Sequence, residues 1–210
     1  MAVLKSALIL GASGLVGQQL LRELLHDDRY DSVTCLVRRP LGQHLYKDPK
    51  NKLHPVVVDF DALDDYQGYF GADHIYCCLG TTLKRAGSLQ AFRKVDFEYV
   101  HVAAQLARGQ RAGGFVWISS AGANAQSNNY YLKVKGELEN AIMRMPQLPN
   151  AAAVRPGLLI GERVNDKRPL EKAAANLLQL IRPLLVGRLK KYRAVYPSQV
   201  ALEMIRHQEF

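Results

Sequence analysis

The chain of 210 residues is poor in cysteine, in acidic residues and in long apolar runs. Its three cysteines include the neighbours Cys77 and Cys78, a pattern that predicts neither a disulfide framework nor a metal site. No pair among the six histidines has metal-ligand spacing. The longest apolar stretch, residues 176–189, is interrupted by Arg182, Pro183, Gly187 and Arg188, so it falls short of the roughly 20 residues that cross a membrane. These absences argue against a disulfide-stapled secreted domain and against a membrane span.

Residues 1–5 lead directly into the first apolar segment, which leaves no room for a signal peptide. Together with the low cysteine content, this start predicts a soluble cytoplasmic protein. The length is enough for one α/β domain with a sizeable core and too short for two independent domains.

Acidic side chains are outnumbered, 19 against 28 basic ones, which gives a formal net charge of +9. Basic residues concentrate near the C-terminus, at Arg182, Arg188, Lys190, Lys191 and Arg193. Such clusters bind nucleic acids or anionic membranes, but the aromatic-plus-basic motifs of RNA- and DNA-binding modules are missing. We therefore interpret the charge as a solvated basic face with cations that hold an anionic cofactor, and we expect no nucleic-acid partner.

Short apolar runs alternate with segments of helical period, the pattern of repeated βαβ units around a parallel sheet. The predicted strands are 7–10, 33–37, 55–58, 74–78, 115–118 and 152–154, and the predicted helices are 15–25, 89–108, 129–145, 170–185 and 198–207. Right-handed crossovers then give a doubly wound α/β sheet with three α/β/α layers and strand order 3-2-1-4-5-6. We expect a single domain over residues 1–210, with a small C-terminal region from roughly 158 to 210 at the substrate side or a dimer interface.

Helix 15–25 is predicted to have Leu20, Leu21, Leu24 and Leu25 on its apolar side, and three other helices carry further predictions. Ser198 is expected to cap the last one. In helix 89–108 the apolar residues recur three and four apart, which predicts a core-facing side at Phe92, Val95, Tyr99, Val102 and Leu106. Helices 89–108 and 129–145 are apolar on more than one side, so each has an extra apolar face to bury.

The segment 6–17 is an apolar run that ends in three glycines spaced three apart. Gly11 is expected to permit a sharp turn after the first strand, Gly14 the approach of a pyrophosphate, and Gly17 close packing of the following helix. The helix start offers free N–H groups and a favourable dipole to the anion. The predicted cofactor-binding turn is therefore formed by Gly11, Ala12, Ser13, Gly14, Leu15, Val16 and Gly17.

The second strand ends at Arg38 and Arg39, where NAD-binding proteins place an acid for the ribose hydroxyls. A carboxylate would repel a 2′-phosphate, whereas an arginine binds it through two hydrogen bonds. One charge-assisted hydrogen bond of about 1.5–3 kcal/mol corresponds to roughly a 10- to 100-fold preference. The pair therefore favours NADP(H) over NAD(H), the alternative being a solvated loop.

The ends of the remaining strands supply further candidate cofactor contacts. After the third strand, Asp59 either accepts a hydrogen bond from an adenine or caps the next short helix, and Phe60 follows it. The fourth strand leads into small and hydroxyl-bearing residues, Cys78, Leu79, Gly80, Thr81 and Thr82, in which the cysteine is interpreted as a core residue. Ser119 at the fifth strand, the turn Pro156, Gly157 and Leu158 after the sixth, and Tyr131 and Lys135 between them complete the set of predicted cofactor contacts.

The candidate catalytic residues are Ser120, Tyr131 and Lys135. Tyr131 and Lys135 are four apart, so on a helix they share one face. A phenol has a pKa near 10, and lowering it by about three units requires roughly 4 kcal/mol, which a nearby lysine ammonium helps to supply. Serine would hold a substrate carbonyl oxygen while tyrosine exchanges the proton and the cofactor exchanges the hydride.

Tyr131 and Ser120 each stand next to a residue of the same type. Tyr130 is adjacent to Tyr131, but only Tyr131 has a lysine four residues later. Ser119 is adjacent to Ser120, and Ser120 is preferred because the chain leaves the strand directly after it. A Tyr-x-x-x-Lys pair is common by chance, and its position after a Ser-Ser strand end and a glycine turn gives it weight.

Six segments together resemble the short-chain dehydrogenase/reductase superfamily, in its atypical branch, and within it the Tat-interacting-protein-like oxidoreductases and their bacterial and fungal relatives. They are Gly-Ala-Ser-Gly-Leu-Val-Gly (11–17), Cys-Leu-Gly-Thr-Thr (78–82), Val-Asp-Phe-Glu-Tyr-Val (95–100), Ile-Ser-Ser-Ala-Gly-Ala (118–123), Tyr-Leu-Lys-Val-Lys-Gly-Glu-Leu-Glu (131–139) and Val-Arg-Pro-Gly-Leu-Leu (154–159). The resemblance implies NADP(H) binding, a Ser120–Tyr131–Lys135 site and a dimer.

The resemblance does not name a substrate. One hypothesis is a reductase that acts on a small carbonyl compound. The alternative is a protein that senses NADP(H) and binds a protein partner without turnover, since the same loops serve both roles.

Overall fold

A computed structural model describes residues 3–148, 150–160 and 195–208. The strands are β1 (Lys5–Leu10), β2 (Tyr30–Val37), β3 (Leu53–Val57), β4 (His74–Cys77), β5 (Gly114–Ile118) and β6 (Ala151–Val154). The helices are α1 (Leu15–His26), α2 (Leu83–Ala86), α3 (Leu89–Arg93), α4 (Tyr99–Gly109), α5 (Tyr130–Met143) and α6 (Pro197–Arg206), with 3-10 helices at Gln43–Leu45 and Phe60–Gly71 and a π-helical turn at Lys94–Glu98. The predicted helix 170–185 and the C-terminal basic cluster lie outside the described residues.

The six strands form one sheet in the order β3-β2-β1-β4-β5-β6, and every neighbouring pair is parallel. This confirms the predicted doubly wound topology. The last residue of β1, Leu10, pairs with Leu36 of β2 and with Cys77 of β4. Because these strands end in register, the loops that follow them emerge along one edge, where doubly wound sheets bind ligands.

Alternating side chains divide the core between the two faces of the sheet. In β1, Ala7 and Ile9 join the cluster beneath α1 and α6, whereas Leu8 and Leu10 join the cluster beneath α4 and α5. The predicted apolar side of α1 is confirmed, since its four leucines, Leu20, Leu21, Leu24 and Leu25, are fully buried. Burying one such side chain contributes roughly 1.5–3 kcal/mol, so α1 is held to the sheet mainly by this stripe.

The predicted helix 89–108 is present, and of its predicted apolar residues Phe92 is fully buried while Tyr99, Val102 and Leu106 pack against the core. It runs from α3 through the π-helical turn into α4, and the buried positions are Phe92, Asp96, Val100, Ala103, Ala104 and Ala107. The wider π turn shifts the helix face, because it inserts an extra residue into the 3.6-residue repeat. The other predicted core positions, Val95, Tyr99, Val102 and Leu106, are only partly buried.

The prediction that Ser198 caps the last helix is wrong. Helix α6 begins one residue earlier, with Pro197 in the first position and Tyr196 as the N-cap. Proline suits that position because its missing N–H would have no partner there. The side chain of Gln199 instead accepts a hydrogen bond from the backbone N–H of Tyr196.

Candidate functional site

The glycine turn passes so close to β4 that glycine is the residue that fits. Gly11 has a φ of +86°, and a Cβ there would lie 2.8 Å from the carbonyl carbon and oxygen of Cys78. A Cβ on Gly17 would lie 2.2 Å from the carbonyl oxygen of Gly11. A side chain at either position would therefore push the turn away from the sheet or the helix away from the turn.

The start of α1 has the form of an anion-binding cradle. Its N-cap is Gly14, whose N–H donates to the carbonyl oxygen of Gly11 at 3.0 Å, and no side chain caps the first turn. Ser13 and Gly14 are exposed, whereas Ala12, Val16 and Gly17 are buried against the sheet. The backbone N–H groups at the helix start thus face an open rim, which fits the pyrophosphate of a dinucleotide.

Arg38 and Arg39 lie at the same edge as this cradle. Arg38 is two residues beyond Leu36, the register partner of Leu10, and Gly11 directly follows Leu10. Both arginines are exposed, and among the described residues neither forms an ion pair or a hydrogen bond. Their guanidinium groups are available to an anionic ligand.

The residues after β3 have a structural role in the fold. Asp59 caps the 3-10 helix Phe60–Gly71 by accepting a hydrogen bond from the N–H of Asp61 at 2.9 Å. This agrees with the capping alternative for Asp59. The ring of Phe60 is buried and lies against Tyr99, with ring centroids 5.7 Å apart. A cofactor would therefore meet Phe60 through its backbone.

The loop after β4 borders the centre of the edge. Burial raises the pKa of the Cys77 thiol to about 12 and that of the Cys78 thiol well above its usual range, as expected for core thiols. Leu79 approaches the glycine turn, and Gly80 is exposed. The hydroxyl of Thr82 caps α2 by accepting from the N–H of Arg85 at 3.3 Å.

The two neighbouring tyrosines at the start of α5 differ in what their hydroxyls do. Both rings pack against Phe92, with centroid distances of 6.1 Å for Tyr130 and 5.5 Å for Tyr131. The Tyr130 hydroxyl donates to the carbonyl oxygen of Leu89 at 3.3 Å. Among the described residues the Tyr131 hydroxyl forms no hydrogen bond, so it remains available to a ligand.

Lys135 lies one turn after Tyr131 on α5, where it is buried and paired with a carboxylate. Its ammonium nitrogen Nζ lies 2.8 Å from Oδ1 of Asp96 and donates to the carbonyl oxygen of Ile118 at 3.3 Å. The Asp96 side chain is 1% exposed and that of Lys135 is 3% exposed. Burial raises the pKa of Asp96, while the ammonium of Lys135 and the N–H of Thr81 oppose that rise.

The two serines at the end of β5 have different surroundings. Ser119 is buried and its hydroxyl donates to Glu139, which also forms two hydrogen bonds with Arg155 from the end of β6. The hydroxyl of Ser120 makes only a 3.5 Å contact with the carbonyl oxygen of Ala121. The hydroxyl of Ser119 is therefore used to join the end of β5 to α5, whereas that of Ser120 has no closer partner among the described residues.

The turn after β6 closes the edge on the far side. The carbonyl oxygen of Pro156 accepts from the N–H of Ala121 at 2.9 Å, which joins this turn to the Ser120 loop. Gly157 is partly buried, and Leu158 is 51% exposed. The predicted residues after β1, β2, β4, β5 and β6 therefore border a common edge of the sheet.

The sequence-based prediction missed Asp96, Glu139 and Arg155. A signal for Asp96 exists, since a carboxylate four residues after Phe92 and four before Val100 stands at core spacing in an apolar helix. Glu139 follows Lys135 by four residues and so extends the Tyr131–Lys135 face of α5. The partner of each charge comes from a distant part of the chain, which spacing within one helix cannot reveal.

The fold and the edge define an NAD(P)-binding domain of the Rossmann type. Residues 11–174 match the model of a family described as NAD(P)H-binding. The chain belongs to this family. None of the helices in the described part of the chain is long and apolar enough to cross a membrane.

Curated relatives narrow the similarity further. The chain is 39% identical over 168 residues to Protein HTATIP2 of Rattus norvegicus, covering 80% of this chain and 67% of that protein. It is 34% identical over 181 residues to Protein FMP52-1, mitochondrial, of Scheffersomyces stipitis, covering 84% of this chain and 76% of that protein. The resemblance stated from the sequence motifs is thereby confirmed.

Solved structures at much lower identity share the fold. MoeE5 in complex with UDP-glucose and NAD has a TM-score of 0.70 at 14% identity, with 97% of this chain and 72% of that chain covered. The Bordetella bronchiseptica enzyme WbmH in complex with NAD+ has a TM-score of 0.69 at 16% identity, with the same coverage. At this identity both show a shared fold and nothing more.

Proposed function

We propose that the protein is an NADP(H)-dependent oxidoreductase that transfers hydride to a small carbonyl compound. The observation that carries the proposal is that Tyr131, whose hydroxyl has no hydrogen-bond partner among the described residues, precedes the buried and paired Lys135 by one turn of α5. A bound nicotinamide dinucleotide supplies the hydride. The residues of this chain supply the orientation and the proton.

Each catalytic role follows from the surroundings of the side chain. Ser120, with its free hydroxyl, donates a hydrogen bond to the carbonyl oxygen of the substrate and fixes its position. Tyr131 gives its proton to the same oxygen as charge develops there. Lys135, held by Asp96 and the carbonyl of Ile118, keeps a fixed position one turn below the phenol.

The preference for NADP(H) over NAD(H) is part of the proposal. It rests on Arg38 and Arg39, whose guanidinium groups stand at the ribose end of the edge, and on the lack of an acid there. Two hydrogen bonds from one guanidinium to a 2′-phosphate would favour the phosphorylated cofactor.

The test is the substitution Tyr131→Phe with Tyr130→Phe as the matched control. We expect Tyr131→Phe to lower the turnover of a carbonyl substrate, found by screening NADPH oxidation, by about 100-fold or more, because the proton donor is lost. Tyr130→Phe removes a hydroxyl bound to Leu89 and should retain most of the activity. Calorimetric titration should show NADPH binding in both variants. Full turnover by Tyr131→Phe would contradict the proposal.

An NADP(H)-sensing protein without turnover remains the competing hypothesis, and it predicts NADPH binding with no oxidation by any carbonyl compound in the screen. A homodimer and a cytoplasmic location remain predictions from the sequence. Sedimentation and cell fractionation test them independently of the chemistry.

A further inference from the structure

The segment of residues 81–89, which contains α2 and the turn into α3, carries two cations that have no task in the proposed reaction. Lys84 and Arg85 are exposed, and within the part of the chain that the structure describes neither side chain forms an ion pair or a hydrogen bond. The next two basic residues, Arg93 and Lys94, are each paired with a carboxylate. The charge of Lys84 and Arg85 is therefore available to a ligand.

The start of this segment is held beside Lys135. The N–H of Thr81 donates to Oδ2 of Asp96 at 2.8 Å, and Oδ1 of the same carboxylate lies 2.8 Å from Nζ of Lys135. The backbone then turns at once into α2, because the N–H of Arg85 donates to the carbonyl oxygen of Thr82 at 2.9 Å. Helix α2 therefore begins next to the point that Asp96 fixes beside Lys135.

The end of the segment is held at the start of α5. The hydroxyl of Tyr130 donates to the carbonyl oxygen of Leu89 at 3.3 Å, and the ring of Phe92 in the same helix α3 packs against that of Tyr131 with a centroid distance of 5.5 Å. Tyr130 and Lys135 are five residues apart on α5, or about 7.5 Å along its axis. The segment therefore leaves α5 and returns to it at two points with Tyr131 between them.

The chain around the predicted active site has cations in excess of acidic side chains. Aspartate and glutamate are absent from residues 74–95, which run from β4 to the π-helical turn, from residues 119–136, which lead from β5 into α5, and from residues 151–160, which contain β6. Four cations of these stretches are paired with carboxylates from outside them, namely Asp61, Asp96, Glu137 and Glu139. With Lys84 and Arg85 unpaired, this end of the sheet edge carries an excess of positive charge, which attracts anions.

The phosphates of the cofactor are assigned to other groups in the proposed site. The pyrophosphate belongs at the open start of α1, after β1, and the 2′-phosphate at Arg38 and Arg39, after β2. The nicotinamide ring belongs at Tyr131, because hydride and proton must reach the same carbonyl group. This ring carries no phosphate. An anionic partner for Lys84 and Arg85 is therefore expected on the substrate.

We propose that Lys84 and Arg85 bind an anionic group of the substrate, which is then a carbonyl compound that carries a carboxylate or a phosphate. This inference rests on the proposed function and names the substrate class of the same site. Both anions form charge-assisted hydrogen bonds with guanidinium and ammonium groups. Leu83 is 37% exposed and Leu89 is 55% exposed on the same segment, which favours an apolar body between the carbonyl and the anionic group.

The test compares matched ketones that differ in charge. The first pair is para-acetylbenzoate and its methyl ester, and the second is para-acetylphenyl phosphate and para-methoxyacetophenone. Binding to the protein is measured by calorimetric titration in the presence of excess NADP+, because the oxidised cofactor has no hydride to donate to the ketone. We expect at least one anion to bind about tenfold or more tightly than its neutral partner, and the two pairs separate carboxylate from phosphate.

The double variant Lys84→Gln with Arg85→Gln should lose this preference and keep its affinity for NADPH. Lys84→Glu with Arg85→Glu should make the anion the weaker ligand of each pair, because like charges repel. The matched control is Arg108→Gln with Arg111→Gln, which removes the same charge from two exposed arginines at the end of α4. Because α4 leads into the start of β5, these arginines lie at the opposite end of the sheet, and the control should keep the preference.

Equal affinity for the charged and neutral members of both pairs overturns the proposal, and so does a failure of both anions to bind. Loss of the preference in the control variant, or an equal loss of NADPH affinity in Lys84→Gln with Arg85→Gln, also overturns it, because the cations would then act through net charge or on the cofactor. The measurement needs no turnover. It can therefore fail while Tyr131→Phe still abolishes turnover, and the preference can persist if Tyr131→Phe remains fully active.

Discussion

At the glycine turn the site is built from backbone, whereas along α5 it is built from buried charges. Gly11 and Gly17 allow close packing because they have no side chain, and the groups that approach them are backbone carbonyls. Lys135 and Glu139 can be buried because each charge has a partner, Asp96 for Lys135 and Arg155 for Glu139. The first region is sensitive to added volume, and the second is sensitive to a change of charge.

The largest expected effect comes from adding a methyl group to the backbone-built region. Gly11→Ala combines a positive φ with a Cβ 2.8 Å from the Cys78 carbonyl, so we expect about 3 kcal/mol of lost stability and loss of NADPH binding. Chemical denaturation and calorimetric titration measure the two effects.

Gly87→Ala is the matched control for this substitution. Gly87 has a similar φ of +80°, but nothing lies within 4 Å of the position of its Cβ. We expect a cost of about 1 kcal/mol from the backbone conformation alone, with NADPH binding unchanged. Equal losses in both variants would show that the contact with Cys78 is unimportant and would remove the basis of the comparison.

Arg38 lies at the same edge as the glycine turn and is expected to contribute to cofactor binding through its side chain. Arg38→Ala should weaken NADPH binding by about 10- to 100-fold and leave NADH binding nearly unchanged. The reason is that the expected partner of the arginine is the 2′-phosphate, which NADH lacks. Titration with each cofactor measures the ratio. A similar loss for both cofactors would assign Arg38 to general charge attraction.

A smaller effect is expected from neutralising Glu139 in the charge-built region. Glu139→Gln weakens the hydrogen bonds with Ser119 and Arg155, and we expect about 1.5 kcal/mol of lost stability, a low value because Arg155 is 57% exposed.

Glu137→Gln on the same helix gives the comparison for Glu139→Gln. Oε2 of Glu137 lies 2.5 Å from Nη1 of Arg93. The Glu137 side chain is 28% exposed and that of Arg93 is 37% exposed. Such a solvent-accessible pair contributes less than about 1 kcal/mol. If Glu137→Gln destabilised the protein as much as Glu139→Gln, burial of the charge would not be the deciding factor.

The sequence predicted best where local pattern and tertiary packing agree. All six strands and the apolar side of α1 are in the structure, because buried parallel strands and an amphipathic helix have strong local signals. The most deeply buried positions after the π turn, Val100, Ala103, Ala104 and Ala107, were not predicted, because a π turn leaves no mark in the spacing of apolar residues. The Ser198 cap was wrong because Pro197 starts the helix.

Which of the two neighbouring tyrosines, and which of the two neighbouring serines, has a hydroxyl available to a ligand could be decided only from contacts in the structure. Tyr130 and Tyr131 look alike in the sequence, and the contact of Tyr130 with Leu89 separates them. Ser119 is likewise distinguished from Ser120 by its hydrogen bond to Glu139, which lies 20 residues further along the chain than Ser119. The site residues predicted from the sequence remain predictions until cofactor binding and turnover are measured.

The sequence by itself determined the strand–turn–helix at residues 5–26, the order of alternating elements and the presence of glycines and arginines at the strand ends. These features depend on residues close together in the chain. The tertiary structure alone decided that Asp96 meets Lys135 and that Glu139 meets both Ser119 and Arg155. Such pairings depend on how helices pack on the sheet, and buried charges find partners only after that packing has removed water from around them.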